Sequence, residues 1–244
     1  DKGAFEAISW DQAYSEIAEK VKAIIADKGP QALAMVQDPR PSGKQYSARF
    51  MNALGSANVY AHSSSCNLSK ESAYQLTIGA TGYSNDFANA KMVMFIGRSY
   101  GDGIRPSSVQ SLADAAEHGT RVVIVDPRLN NSGIFASDWV PINPGTDLAL
   151  LMAMANVLIE EDLYDHDFVE QNTYGFEEFS ARINDPDKGM TPERAAEICE
   201  VPVEGIYRAA RLYAAAKPAS IAWGLAFDQN QNGNQAAHCV LALM

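Results

Sequence analysis

Long apolar runs are missing from this 244-residue chain. Nothing approaches the roughly 18 consecutive apolar residues that mark a membrane-crossing helix, so no segment is expected to insert directly into a bilayer. Cysteine is scarce as well. Cys66, Cys199 and Cys239 are odd in number and far apart, which argues against a disulfide framework, and no CxxC is present to give iron–sulfur or zinc-knuckle spacing. Basic residues are few: 19 Lys and Arg stand against 30 Asp and Glu, for a formal net charge of −11, without a basic cluster. That balance argues against a nucleic-acid surface or an anionic-membrane patch. Any anionic ligand must be held locally, by backbone N–H groups and a few well-placed Arg or Lys. The opening residues, Asp1-Lys2-Gly3-Ala4-Phe5, lack the charged-then-apolar order of a signal peptide, and any export signal is expected upstream of residue 1.

What is present is a globular composition. Hydrophobic residues make up 47% of the chain, enough for one large or two smaller α/β domains with a substantial core. Ser9-Trp10-Asp11-Gln12 reads as a capping box, and Ala13, Ile17, Val21, Ile24 and Ile25 recur at helical spacing until Gly29-Pro30 ends the helix. Ala32 to Val36 reads as a short buried strand and Pro39 to Gly43 as a loop. Tyr46, Phe50, Met51 and Leu54 mark a second helix that stops at Gly55. A clear βαβ unit follows: the apolar strand Lys91–Gly97, the loop Arg98-Ser99-Tyr100-Gly101-Asp102-Gly103, a helix from about Arg105 to Glu117, and the buried strand Arg121–Val125. Near-continuous apolar strands alternating with helices predict parallel sheets covered on both faces. Trp139 to Ile142 reads as a further strand. Pro144-Gly145-Thr146-Asp147 leads into a long apolar helix capped by Thr146 or Asp147, Asp162 to Ala216 is helical in pattern, and Ala219 to Gly224 returns to strand. The final segment, Gln235 to Met244, stops within an apolar helical pattern, as a piece of a longer protein would.

Three stretches carry chemistry. Asn58 to Lys70 runs from a short strand through Ser63, Ser64 and Ser65 to Cys66 and into a helix, so the thiol is expected at a strand-to-helix junction. There the helix dipole would favour a thiolate able to hold a soft metal; the competing reading is a buried cysteine serving as a small hydrophobe. The Gly97–Gly103 loop follows a strand and opens a helix, with Asp126 ending the next strand 29 residues after Gly97. That order suits backbone N–H groups to a phosphate and a carboxylate to a ribose or base edge, although it is no G-x-G-x-x-G match and a plain tight turn reads equally well. Asn230, Gln231, Asn232 and Gln235, beside Gly233, form an amide loop that either reads a heterocycle edge or is a solvated turn. His62 lies four residues before Cys66 without a second pair, which argues against a structural zinc site, and His118 and His166 read as surface residues.

In order and spacing, these stretches resemble the molybdopterin oxidoreductases of the dimethyl-sulfoxide-reductase family. The resemblance rests on Ser9 to Ala13, Ser65-Cys66, Met94 to Arg98, Val123 to Arg128, Pro144 to Asp147, and Gly224 through Gln229 to Gly233. It implies two α/β units with mainly parallel sheets, one inserted in the other. Residues 1–62 and 219–244 would form the first, and residues 63–218 the inserted unit that binds a pterin guanine dinucleotide. The cofactor implied is molybdenum or tungsten bis(molybdopterin guanine dinucleotide), with Cys66 as the metal ligand and catalytic residue. The loop Gly97, Arg98, Ser99 and Gly101 matches a dinucleotide contact. Asp126, with Pro127 and Arg128, matches a carboxylate that accepts from a guanine edge. Gly145, Thr146 and Asp147 match another nucleotide contact, and Gly224, Asn232 and Gly233 face the other half of the cofactor. A 4Fe-4S cluster is implied only in an N-terminal region that precedes this chain.

The same resemblance implies a catalytic core that reduces a small sulfur, arsenic or N/S-oxide substrate in a prokaryote, at the periplasmic face or in the cytoplasm. An iron–sulfur electron-transfer subunit and a membrane-anchor subunit are the implied partners. Asn67 stands where family formate dehydrogenases carry a His, which counts against formate. His62, Ser64 and Asn67 are candidates for shaping the substrate pocket. The alternatives are a non-redox tungsten hydratase of the same family and a non-catalytic structural subunit of an electron-transfer complex.

Overall fold

The computed structural model describes residues 3, 5–38, 44–102 and 106–244. The loop expected over Pro39 to Gly43, Gly103, and the helix start expected near Arg105 lie outside the described residues. The chain divides into two compact units, Asp1–Ser64 and Ser65–Met244.

The first unit holds α1 (Trp10–Lys28), β1 (Met35–Gln37), α2 (Lys44–Leu54) and β2 (Val59–Ala61). Ser9 caps α1 by accepting from the Gln12 N–H at 3.2 Å, the first half of the expected capping box, while the Gln12 side chain donates to Glu16 at 2.9 Å, and Gly29 ends the helix at φ +79°. β1 and β2 pair in parallel. β1 begins later than Ala32 because Pro30–Ala32 forms a 3-10 turn, and it is only partly buried. Partial burial fits a two-stranded sheet with little to cover it.

The second unit is a doubly wound sheet. Its elements are α3 (Leu68–Ile78), β3 (Met92–Ile96), α4 (Pro106–Glu117), β4 (Arg121–Val125), β5 (Ala136–Val140), α5 (Asp147–Glu160), α6 (His166–Asn172), α7 (Phe176–Ile183), α8 (Pro192–Cys199), α9 (Val203–Ala215), β6 (Ala219–Trp223) and α10 (Gly233–Leu243). The strands are all parallel, in the order β5-β4-β3-β6. Side chains alternate across this sheet as the period of two requires. Met92, Met94, Ile96, Val123, Val125, Ile221 and Trp223 pack on one face with residues of α3, α5, α8, α9 and α10. Val93, Phe95, Val122, Ile124 and Ala222 pack on the other with Leu112 and Ala115 of α4. Every residue of β3 is fully buried.

Two expectations are corrected. The last strand does not join the first unit: β6 pairs with β3 along its length, Met92 with Ala219 through Ile96 with Trp223, and the division falls after Ser64. Burial decides this, because Ile221 and Trp223 complete an apolar face that β3 alone would leave open. The strand expected at Trp139–Ile142 instead starts at Ala136 and ends at Val140. Its two consecutive polar residues, Ser137 and Asp138, hide it from a search for continuous apolar runs.

Candidate functional site

Because the sheet is parallel, the residues that follow β3, β4, β5 and β6 (Gly97, Asp126, Pro141 and Gly224) emerge at one edge. β4 lies on one side of β3 and β6 on the other, so the connections diverge and open a crevice at the C-terminal ends of β3 and β6. Such switch points are where open α/β sheets bind ligands.

Close backbone approach shapes this edge. A Cβ at Gly224 would lie 1.8 Å from the Gly97 carbonyl oxygen, so no larger residue fits there. A Cβ at Gly101 would meet the Asn131 carbonyl carbon at 2.4 Å, and the Gly101 N–H donates to the Ser132 hydroxyl at 3.0 Å. The Ser99 hydroxyl lies 3.2 Å from the same oxygen. Thus Gly101, read from the sequence as a phosphate contact, spends its N–H on the loop after β4.

Asp126, half-buried at the end of β4, accepts from the Arg128 N–H at 2.9 Å and the Asn130 side-chain amide at 3.1 Å. Each oxygen keeps acceptor capacity. Pro127 and Arg128 are exposed, and Arg128 turns to Asp102 at 3.1 Å. Hydrogen bonding from Ser99, and then the Arg128 charge, holds Asp102 below the usual carboxylate range. Asp147 opens α5 and is 7% exposed. Burial pushes its carboxyl up, and the charge of Asp126 pushes in the same direction. Thr146 does not cap α5 with its side chain, since its hydroxyl donates to the Asn143 carbonyl at 2.7 Å. Asn232 reaches the Gly145 carbonyl at 3.5 Å, which joins the amide loop to the turn before α5, and Gly233 begins α10.

Cys66 is a half-buried free thiol two residues before α3, after a 3-10 turn at His62–Ser65. The turn displaces it from the helix cap, a position that Asn67 takes while its side chain donates to Glu71 at 2.8 Å. Among the described residues no group of three or more His, Cys, Asp or Glu is arranged to hold a metal ion. A metal at Cys66 would therefore need its remaining ligands from a cofactor. His62 is exposed and 3.7 Å from Asp38.

The sequence reading missed what ties Cys66's turn to the amide loop. The Lys70 N–H donates to Asp228 at 3.1 Å, and the Lys70 ammonium lies 3.3 Å from the other carboxylate oxygen, whose side chain is fully buried. Asn234 adds donations to the Ser69 carbonyl at 3.1 Å and the Ser72 hydroxyl at 2.8 Å. These partners lie 158 or more residues apart in sequence, so no local pattern announces them.

Fold and edge together define a doubly wound parallel α/β unit with a crevice at the switch point of its sheet. A family model for molybdopterin oxidoreductase matches residues 1–244. The chain is 36% identical over 241 residues to acetylene hydratase of Syntrophotalea acetylenica, covering 97% of this chain and 32% of that protein. It is 38% identical over 221 residues to the thiosulfate reductase molybdopterin-containing subunit PhsA of Salmonella typhimurium, covering 90% and 28%. The solved structure of acetylene hydratase from Pelobacter acetylenicus superposes with a TM-score of 0.80 at 35% identity, covering 100% of this chain and 33% of that one. The chain belongs to the molybdopterin oxidoreductase family and spans about a third of the length of these relatives.

Proposed function

We propose that this chain is the catalytic-core portion of a molybdenum or tungsten bis(molybdopterin guanine dinucleotide) enzyme that reduces a small sulfur, arsenic or N/S-oxide substrate. The observation that carries the reading is the convergence of Asp126, Asp147 and the Asn232–Gly145 contact at one strand-end edge. A guanine edge offers N1–H and N2–H₂ donors. Asp126 has acceptor capacity left over, and the buried Asp147, which accepts from its own backbone N–H, gains from further donors. This set of acceptors therefore fits the nucleotide end of such a cofactor.

When bound, the cofactor supplies the two-electron chemistry, and the protein contributes binding, orientation and electronics. Cys66 is the ligand assigned to the metal, a soft thiolate matched to a soft centre. Lys70 and Asp228 hold the turn that carries Cys66 against the segment that follows β6, so the thiol is fixed relative to the strand-end edge. Gly97, Arg98, Ser99, Thr146, Gly224 and Gly233 frame the crevice, while Pro127 and Arg128 stay at its outer rim. An iron–sulfur subunit that delivers electrons, and a membrane anchor beyond it, are the partners that the family resemblance implies for this reading.

The similarity to acetylene hydratase favours a second reading, a non-redox hydratase on the same scaffold. The deciding experiment uses the full-length parent purified without oxygen, beside its Cys66→Ala variant. The reductase reading predicts about one molybdenum or tungsten per wild-type chain, turnover of thiosulfate or an N/S-oxide with reduced dye, and loss of turnover in the variant. Wild-type protein that hydrates acetylene without consuming reductant would establish the second reading. Absence of metal and pterin from properly assembled protein would overturn both.

A further inference from the structure

The net charge of −11 is not spread evenly along the chain. From Glu160 to Glu178, 19 residues carry eight Asp and Glu and no Lys or Arg, so the other 225 residues contribute only −3. All eight acids are exposed. Three have partners close by: Glu161 pairs with Arg211 at 2.7 Å, Asp162 with His166 at 2.7 Å, and Glu160 accepts from the Asn184 amide. Asp165, Asp167, Glu170, Glu177 and Glu178 have no Lys or Arg of the described residues within 4 Å. Asp167 and Glu170 stand three apart on α6, a like-charge spacing that weakens an isolated helix. The fold gains nothing from gathering these charges.

The same stretch exposes aromatic surface. Among the described residues, α6 is the one helix of the second unit that buries no residue. Phe168 is 51% exposed and Tyr174 wholly exposed, while the Tyr164 ring lies 4.2 Å from His166 and 4.8 Å from Phe176, centroid to centroid. Apolar rings surrounded by charge have the make-up of an interface, with aromatic anchors inside a polar rim. The surface lies clear of the crevice. Helix α5 starts at the strand-end edge with Asp147 and runs 14 residues, about 21 Å, which carries Glu160 and α6 toward the opposite end of the sheet.

We propose that α6 and the turn into α7 form the docking surface for a separate protein that presents a basic face, with Phe168 and Tyr174 as its apolar anchors. Charge complementarity selects this occupant: five carboxylates without a basic partner, set around two exposed rings, call for Lys and Arg set around an apolar groove. About two thirds of the length of the relatives lies outside this chain, so a later segment of the parent is the competing occupant. Uncompensated surface charge speeds the encounter of separately diffusing molecules, an advantage that a segment already tethered to the chain does not need. The inference does not rest on the cofactor reading, because the surface stands apart from Cys66, Asp126 and Asp147.

The test starts with zero-length carbodiimide cross-linking of the full-length parent, purified in its native assembly and read by mass spectrometry. Links from Asp167, Glu170, Glu177 or Glu178 to lysines of another chain are expected. Links only to lysines of the parent's own remaining length, no links, or a parent that purifies as a single chain would overturn the proposal. The subunit so identified is then titrated calorimetrically with the wild type, with Tyr174→Ser, and with a variant combining Asp167→Asn, Glu170→Gln, Glu177→Gln and Glu178→Gln, folding being checked by circular dichroism. The combined variant should lose about tenfold or more in affinity at low salt, with the loss shrinking as salt is raised. Tyr174→Ser should lose about tenfold at every salt concentration. Amides in place of Glu6, Asp11, Glu19 and Asp27, four exposed acids of the first unit, should leave affinity unchanged. Should the combined variant not fold, Tyr174→Ser carries the test, since its side chain is wholly exposed. Unchanged affinity in the folded variants, or an equal loss in the first-unit variant, would overturn the proposal. Metal and guanine content is expected to be the same in all of these proteins, so failure here leaves the cofactor reading standing.

Discussion

The two units satisfy their hydrophobic patterns in opposite ways. In the second, the apolar faces of β3, β4 and β6 are covered within the unit, and Met94, Phe95, Ile124 and Ile221 are fully buried. In the first, α1 has a regular apolar stripe yet buries no residue: Trp10 is 76% exposed, Tyr14 64% and Ile17 59%. Periodicity states what a segment needs, and tertiary packing decides whether the need is met within the chain. The strand-end edge belongs to the unit that meets its own needs, which gives its carboxylates and glycines a rigid support.

That contrast can be broken by substitution. The largest effect is expected from Gly224→Ala: the new Cβ would need the space of the Gly97 carbonyl oxygen, backbone against backbone, so a loss of about 4 kcal/mol or failure to fold is expected in urea unfolding. Met94→Ala empties a fully buried position and should cost about 2–5 kcal/mol in the same measurement. Asp147→Asn should act in the other direction. Its folded pKa lies above the ordinary 3.8, so the folded state binds the extra proton and stability falls as pH rises from 3.8 through the raised value. At pH 7 the charged form is a net cost, so Asn should stabilise the ligand-free chain and remove that part of the pH slope; an unchanged slope would contradict the burial argument. Ile17→Ala, on the exposed stripe, should change stability by less than about 0.5 kcal/mol. A loss comparable to Met94→Ala would show that the stripe is packed after all.

Continuous apolar strands were the most legible elements. Arg121–Val125 has the bounds read from its sequence, and Lys91–Gly97 brackets β3. One cap was legible too, since Ser9 accepts from the N–H three residues on, whereas Thr146 does not cap α5 with its side chain. The helical pattern from Asp162 to Ala216 resolves into four helices, because local periodicity does not count breaks. The family, too, was legible from motif order. Less legible were the partners of site residues. Lys70 with Asp228, Arg98 with the Trp223 carbonyl and Gly101 with Ser132 join distant segments, and only the sheet's strand order brings them together. Likewise the crowding around Gly224 belongs to a neighbouring strand end, which one strand's sequence cannot announce.

The central claim is that the strand-end edge of the second unit holds one guanine dinucleotide through Asp126. The most direct measurement is the guanine nucleotide released on denaturing the full-length parent, compared with its Asp126→Ala variant. The account predicts two guanine nucleotides per wild-type chain and one per variant chain, with the variant still folded. Two in both proteins, or none in the wild type, would contradict it.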